Sequence, residues 1–520
     1  MKSLKETIKL SILNHVLGPV IRGPSSSHTA GSYYLGRLAR SIVGDTPLKV
    51  KIIFDKKGSY ARVFRQQKSD LGFAAGLLGW EITDERFAQA LHLAAESGLD
   101  LSFEIQSIPE ADHPNFVKIE IENKFRQKIS LKGKSVGGGM VEIIEINGWP
   151  VKLRGDSYEY LFELPKKKNK IVVNFLNSLP LKCSEIKVSE NTDISLWHLT
   201  CTKKISSKTL EKIKSYFNLK DFKIIPPLMP VVSGEPLFRS AAEAIELAVK
   251  QKKSLGKLAI TYESELLNLK ENEIRQQLAQ RLEIMKQSVA SGLKDNLTLQ
   301  LLKPKARFIY QAEKEGKLIG GLLTRASARA MAAQHTAASM GVVCAAPTAG
   351  SAGTLPGIIV TLLEDKGIAR EKMIEALAAA GAVGLVVGYR ATFAAEVAGC
   401  QVEIGAAGAM GAAAVIEAVG GGAKEAFDAA AISFQNSMGS VCDLVQGFCE
   451  IPCHTRNAIA AASAFVCADL INGGYDNPIP FDETIDAVYE VGKMLPPELK
   501  VTSLGGLALC PSAQSLRRPQ

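Results

Sequence analysis

The chain has 520 residues, 46% of them hydrophobic and 22% charged, with mean hydropathy +0.07 and net charge +9. At roughly 150 residues per domain this suggests two to four domains and is ample for a large core. The positive charge is diffuse lysine, as in Lys166, Lys167, Lys168 and Lys170, without the clustered arginines and interleaved aromatics that strand binding needs, so a nucleic-acid partner is not expected.

The opening segment MKSLKETIKLSILNHVLGPV scatters charges through an amphipathic pattern and has no signal-peptide core. The apolar run 376–389 is shorter than the ~18 residues of a spanning helix and reads as a buried one. A cytoplasmic protein with no membrane partner is expected. Nine cysteines, an odd number with no export signal, argue against a disulfide framework. Cys183, Cys201, Cys344, Cys467 and Cys510 stand singly and read as buried thiols.

Residues 1–150 alternate strand and helix signals. Segments 49–55 and 115–122 read as strands, and 31–43 and 85–98 as amphipathic helices, giving an α/β domain with a transition at Gly148 to Pro150. From 151 to 228 the order is strand, helix, two strands, helix, strand, a βαββαβ unit of ferredoxin-like size. Segment 225–234 is a Pro-rich linker. Residues 235–510 are dominated by Ala, Gly, Leu and Val at helical spacing, a mainly α-helical domain of closely packed helices. Its Gly-rich interruptions at 350–357 and 420–423 read as helix ends.

Three segments can carry chemistry. GPSSSHTAG (23–31) precedes a helix, so Ser27 or Thr29 can cap it, and its amides and hydroxyls form an anion site suited to a carboxylate. His28 among these hydroxyls reads equally as part of a cap or as a proton-transfer group. CAAPTAGSAGTLPG (344–357) and SVGGGM (135–140) can form backbone nests for an anion. The strongest signal is Cys400, Cys442, Cys449 and Cys453, clustered in Gly-containing segments. Three thiolates on an iron–sulfur cluster leave one iron open as a Lewis acid. Zinc is the competing metal, and would take Cys449 or His454 as a fourth ligand.

The motifs GPSSSHTAG, HPN (113–115), SVGGGMVEI, APTAGSAGTLPG, AGCQVEIGAAGAMGAAA (398–414), CDLVQGFCEIPCHTRNA (442–458) and TSLGGLA (502–508) stand in the order of the iron–sulfur L-serine dehydratases, which the chain resembles over nearly its whole length. The resemblance implies that the β part, an ACT-like module and the α part of that family are fused in one polypeptide. It implies a [4Fe-4S] cluster on Cys400, Cys442 and Cys453, with Cys449 a bystander. It implies L-serine deamination by α,β-elimination without PLP, in a homodimer. Ser25, Ser26, Ser27, Thr29, Thr348 and Gly350 would bind substrate, and His28 would be catalytic.

The sequence departs from the family in three places. Gln67 stands where the family has a histidine, so His28 carries the base duty or the activity differs. CDLVQG replaces CDPVAG. LPKKKN (164–169) replaces the effector turn of the ACT-like module, which argues against serine feedback there. Threonine or cysteine as substrate, or a cluster-bearing amino-acid sensor without catalysis, are the alternatives.

Overall fold

The structure, a computed structural model, describes residues 9–44, 47–294 and 296–517. Its strands are β1 (Val20–Arg22), β2 (Pro47–Asp55), β3 (Asp100–Gln106), β4 (Phe116–Asn123), β5 (Lys128–Gly137), β6 (Met140–Ile146), β7 (Trp149–Leu153), β8 (Tyr158–Pro165), β9 (Cys183–Glu190), β10 (Ile194–Cys201), β11 (Phe222–Ile225) and β12 (Val342–Cys344).

β2 to β7 form one sheet in the order β3-β2-β4-β5-β6-β7, parallel only at β2/β3. Alternation along β4 turns Val117, Ile119 and Ile121 inward against helices Gly31–Val43 and Ser69–Leu78. The helix expected over 31–43 forms with those bounds. The one expected over 85–98 divides into a 3₁₀ turn, Glu85–Gln89, and a short α-helix, Ala90–Glu96.

Two local expectations are corrected. Gly148 to Pro150 is not a domain transition. Asn147 and Gly148, both with positive φ, make a tight Asn-Gly hairpin turn, and β7 continues the first sheet to Leu153, past the boundary at 150. SVGGGM likewise is not a nest but the turn joining β5 and β6.

β8 to β11 make a four-stranded antiparallel sheet, order β11-β8-β10-β9, with helices Asn169–Asn177 and Ser207–Phe217 on one face. The expected βαββαβ succession is therefore present. The helix face buries Tyr160, Phe162, Trp197 and Leu199. The opposite face turns Leu161 and Leu196 towards the first domain. Cys183 and Cys201 lie opposite each other on β9 and β10 and are disulfide-bonded, so the reading of both as single buried thiols is corrected. Cys510 is exposed, whereas Cys344 and Cys467 are buried as expected.

The rest is mainly helical. The principal core is lined by alanines whose small side chains bring helices Arg370–Arg390, Ile404–Ala418 and Ala423–Ser437 close together. Arg370–Arg390 is long and apolar enough to cross a membrane, but most of its surface is buried in the protein. The helical part is not self-contained. β12 pairs with β1, and residues 9–17 lie in the helical core. The buried Glu263 carboxylate accepts from Ser11 Oγ and from the N–H groups of Ile12 and Leu13, closing the start of the short helix Ile12–Val16.

Candidate functional site

β1 delivers the chain to Gly23, which packs against the backbone of Ala337 so tightly that a Cβ would lie 2.0 Å from its carbonyl oxygen. The serine turn follows and enters helix Gly31–Val43. Its cap is Ser25, whose hydroxyl accepts from the His28 N–H at 3.1 Å, rather than Ser27 or Thr29. Thr29 Oγ1 is committed elsewhere, donating to the Gln67 carbonyl at 2.7 Å and accepting from the Ser25 N–H.

The cysteines arrive from three directions. Cys400 follows Gly399, whose φ of 76° suits glycine and whose Cβ would lie 2.7 Å from Leu495 Cδ1. Cys442 lies in an extended segment held to 499–501 by Cys442 N–H donating to the Leu499 carbonyl and Val501 N–H donating to the Cys442 carbonyl. Cys453 opens helix Cys453–Asn472. Cys449 lies on the loop before that helix.

All four thiols are buried and line one pocket with Ser25, Ser26, Ser27, Gln67, Gly350, Glu396 and Glu403. The cavity between them is small, about 20 Å³. The ligand atoms of Cys400, Glu403 and Cys442 lie within 4.8 Å of one another. The Cys442 thiol, hydrogen-bonded to Cys400, outweighs burial together with Arg456 and brings Cys400 down to about 7. The same pairing and burial push Cys442 well up. Cys449 is raised likewise by its bond to Cys453 and by burial. Arg456 also braces the Cys442 segment, donating to the Val441 carbonyl at 2.7 Å and pairing with Asp443 at 3.1 Å.

His28 does not line the pocket. It is fully buried one layer behind, with Ser25 Oγ and Ser27 Oγ 3.3 and 3.2 Å from Nδ1, and Ser59 Oγ 3.1 Å from Nε2. The pocket-facing group is Glu396. Its Oε1 accepts from Ser27 Oγ at 2.5 Å and Asn115 Nδ2 at 3.1 Å, and lies 3.6 Å from His28 Nδ1. Burial lowers His28 to about 4, against the pull of Glu396. Burial would raise Glu396, but His28 and the bonds from Ser27 and Asn115 hold it below the usual carboxylate range. His28 is thus neutral beside an anionic carboxylate at neutral pH.

Glu403 reaches the pocket edge, yet its carboxyl is desolvated and pushed well up, with Thr348 hydrogen-bonded to it. The turn carrying Thr348 and Gly350 forms no free nest. Asn457 Oδ1 takes the Gly353 and Thr354 N–H groups, capping helix Thr354–Glu364 from a distance, while its Nδ2 donates to the Gly350 and Cys453 carbonyls. Gly350 lines the pocket and Thr348 stands behind it. His454 turns away from the thiols, its ring 4.7 Å from that of His335 and both nitrogens unpartnered, so it does not complete a ligand set with them. The set of buried soft donors fits an iron–sulfur cluster or zinc.

Glu396, Glu403, Asn115 and Asn457 are the site residues that the sequence reading missed. The usable signal for the first two was a carboxylate on either side of Cys400 in an almost uncharged run.

The geometry defines an enzyme whose thiol-lined pocket is shared between an α/β domain and a helical domain. The family model described as serine dehydratase alpha chain matches residues 239–508. The chain is 37% identical over 285 residues to the "Probable L-serine dehydratase, alpha chain" of Bacillus subtilis (strain 168), covering 54% of this chain and 95% of that one. It is 34% identical to the L-serine dehydratase alpha chain of Peptoniphilus asaccharolyticus, covering 54% and 98%. It is 32% identical over 206 residues to the beta chain from the same organism, covering 38% and 89%. The chain belongs to the serine dehydratase family, with beta and alpha parts fused in one polypeptide.

Proposed function

We propose that the protein converts L-serine to pyruvate and ammonia by α,β-elimination of water, with a [4Fe-4S] cluster held by Cys400, Cys442 and Cys453. One observation carries this reading: the serine turn of the α/β domain and the cysteines of the helical domain close on a single pocket. The bound cluster would supply a Lewis-acidic iron for the substrate's hydroxyl and carboxylate.

The chain's own groups divide the remaining work. Ser25, Ser26 and Ser27 present hydroxyls for the carboxylate and ammonium, and Gly350 leaves room for them. Glu396, ionised and facing the pocket, takes the Cα proton. His28, a neutral imidazole behind it, lies against the hydroxyls of Ser25, Ser27 and Ser59 and holds the serine turn that donates to Glu396, so it is a positioning residue. Thr29 and Thr348 act one step back, tying the serine turn to Gln67 and holding Glu403. The burial of the pocket excludes water from this exchange. The βαββαβ unit is an ACT-like module, and the protein acts as a homodimer.

The test is anaerobic reconstitution followed by assays of keto acid and ammonia from L-serine, L-threonine and L-cysteine. Serine turnover with visible cluster absorption is expected, and serine turnover at background would overturn the reading. A second reading, structural zinc, is favoured by the fourth thiol, Cys449. It predicts a colourless protein containing zinc and no sulfide, and gives no use to Glu396 and His28.

A further inference from the structure

Three cysteine-bearing segments meet at the thiol pocket, and one cation touches all of them. Arg456 stands in the first turn of the helix that Cys453 opens. Its guanidinium hydrogen-bonds Cys400. It also donates to the Val441 carbonyl at 2.7 Å and pairs with Asp443 at 3.1 Å, the residues on either side of Cys442. Asp443 is itself fixed by accepting from the Leu507 N–H at 2.9 Å.

The loaded pocket would need positive charge. Among the described residues that line it none is basic, whereas Glu396 on its wall is an anion. A dipositive four-iron core held by three thiolates is a net anion, and a substrate carboxylate adds to it. Negative charge buried without a counter-charge is costly, because the surroundings neither hydrate nor screen it. Arg456 lies within electrostatic reach of Cys400, Cys442 and Cys453 together. Its forked donors serve several acceptors at once, and its charge is permanent. Asp443 offsets part of that charge, yet the guanidinium is the group that touches Cys400.

Cys400 and Arg456 also line a second cavity, about 260 Å³, bounded by helices Ile404–Ala418, Ala423–Ser437 and Cys453–Asn472. The exposed Ile459 marks its open side. Here the guanidinium flanks Cys400 where solvent can approach, so its loss exposes that thiolate to exchange.

We propose that Arg456 is a positioning residue of the cluster, whose guanidinium draws the three cysteine segments together and supplies the counter-charge of the loaded pocket. The inference rests on the cluster reading above. A purely structural brace would need only a donor for the Val441 carbonyl, and a neutral side chain could serve. A counter-charge also sets how readily the cluster accepts an electron, and that separates the two roles.

The experiment compares wild type with Arg456→Gln, Arg456→Lys and Asp443→Asn, each reconstituted anaerobically and kept substrate-free. Iron and sulfide are counted, the midpoint potential is measured by spectroelectrochemical titration, and iron release to a ferrous chelator is timed. Arg456→Gln keeps a donor for Val441 but loses the charge. It should show a midpoint more negative than wild type and release iron at least tenfold faster. Arg456→Lys, which keeps the charge, should return both readings most of the way to wild type. Asp443→Asn leaves Arg456 unneutralised and should move the midpoint to more positive values, and it decides the matter if Arg456→Gln fails to fold or load. Loaded Arg456→Gln with the potential and iron release of wild type, or Asp443→Asn with an unmoved midpoint, would overturn this proposal alone. Wild type that takes up neither iron nor sulfide would overturn the cluster reading and this proposal with it.

Discussion

Glu396→Gln is the sharpest test of the division of labour between Glu396 and His28. The substitution keeps the side-chain volume and one acceptor oxygen for Ser27 and Asn115, but removes the charge and the proton-accepting capacity. A positioned general base contributes about 10²–10⁴-fold, or roughly 3–5 kcal/mol of barrier. Loss of two charge-assisted hydrogen bonds disturbs the serine turn by about 1–3 kcal/mol more, which falls on substrate affinity and stability. The expected result is a fall in kcat of at least 10²-fold, with the iron and sulfide content of wild type, because Glu396 is not among the thiol ligands.

His28→Gln should lower kcat less, about tenfold, and should leave a second mark. His28 and two hydrogen bonds hold Glu396 below the usual carboxylate range against burial. Removing His28 lets burial prevail, so the carboxyl rises and the acid limb of the kcat profile moves to higher pH. The assay is anaerobic keto-acid formation across pH at saturating serine, with cluster content measured at each point. A kcat for loaded Glu396→Gln within threefold of wild type would refute the assignment. A deep loss in His28→Gln alone would place the base on the imidazole.

Other consequences follow from buried groups. Burial lowers His15, His28 and His335 to about 4, so below pH 6.5 the unfolded chain takes up protons that the folded one refuses. Stability is full above pH 6.5 and falls as pH drops towards 4, by about 2 kcal/mol per imidazole at pH 5. Thermal unfolding at pH 7 and pH 5 reads this, and equal midpoints would contradict it. Gly23→Ala forces a Cβ to within 2.0 Å of the Ala337 carbonyl oxygen, and should cost at least about 1–3 kcal/mol in denaturant unfolding while reducing activity. With Glu396 facing the pocket, Gln67→His should leave turnover within threefold of wild type. A rise of tenfold or more would move the base to position 67.

What could be read from the sequence was local. Helix Gly31–Val43 and the βαββαβ succession follow from periodicity and turn residues, which act over a few positions. The pairing of β1 with β12 joins residues some 320 positions apart and has no local signature. The same limit hid the Cys183–Cys201 bond, which depends on strand register. At the site, residue types were legible but orientation was not. Ser25, Ser27, Gly350 and the cysteines reach the pocket, whereas His28, Thr29 and Thr348 stand one layer back. That distinction turns on which way a helix start faces. Glu396 was overlooked because a lone acid in an Ala/Gly-rich run shows its purpose only when Ser27, His28 and Asn115 arrive from another domain.

That shared construction bears on what the fusion contributes. In the Peptoniphilus relatives the beta and alpha parts are separate chains, and here the linker at 225–234 joins them. A short tether supplies an effective concentration in the millimolar range, about 10³-fold above micromolar chains, or roughly 4 kcal/mol. Against this stand contacts that are independent of the tether. Glu263 accepts three hydrogen bonds from 11–13, and Arg281 donates to the Leu17 carbonyl at 3.2 Å. Ile12 and Val16 fill spaces left by Gly381 and Gly384, where a Cβ would lie 2.5 and 2.1 Å from them. β1 adds its ladder to β12. These buried groups exceed the tether's contribution, since Ile12, Leu13, Val16 and Leu17 are almost fully buried and each is worth about 1.5–3 kcal/mol. Co-expressing residues 1–230 with 231–520 should therefore give two pieces that co-purify and retain the cluster and serine turnover. Pieces that part on a sizing column at micromolar concentration would show that the peptide link, and not the buried contacts, holds the pocket together.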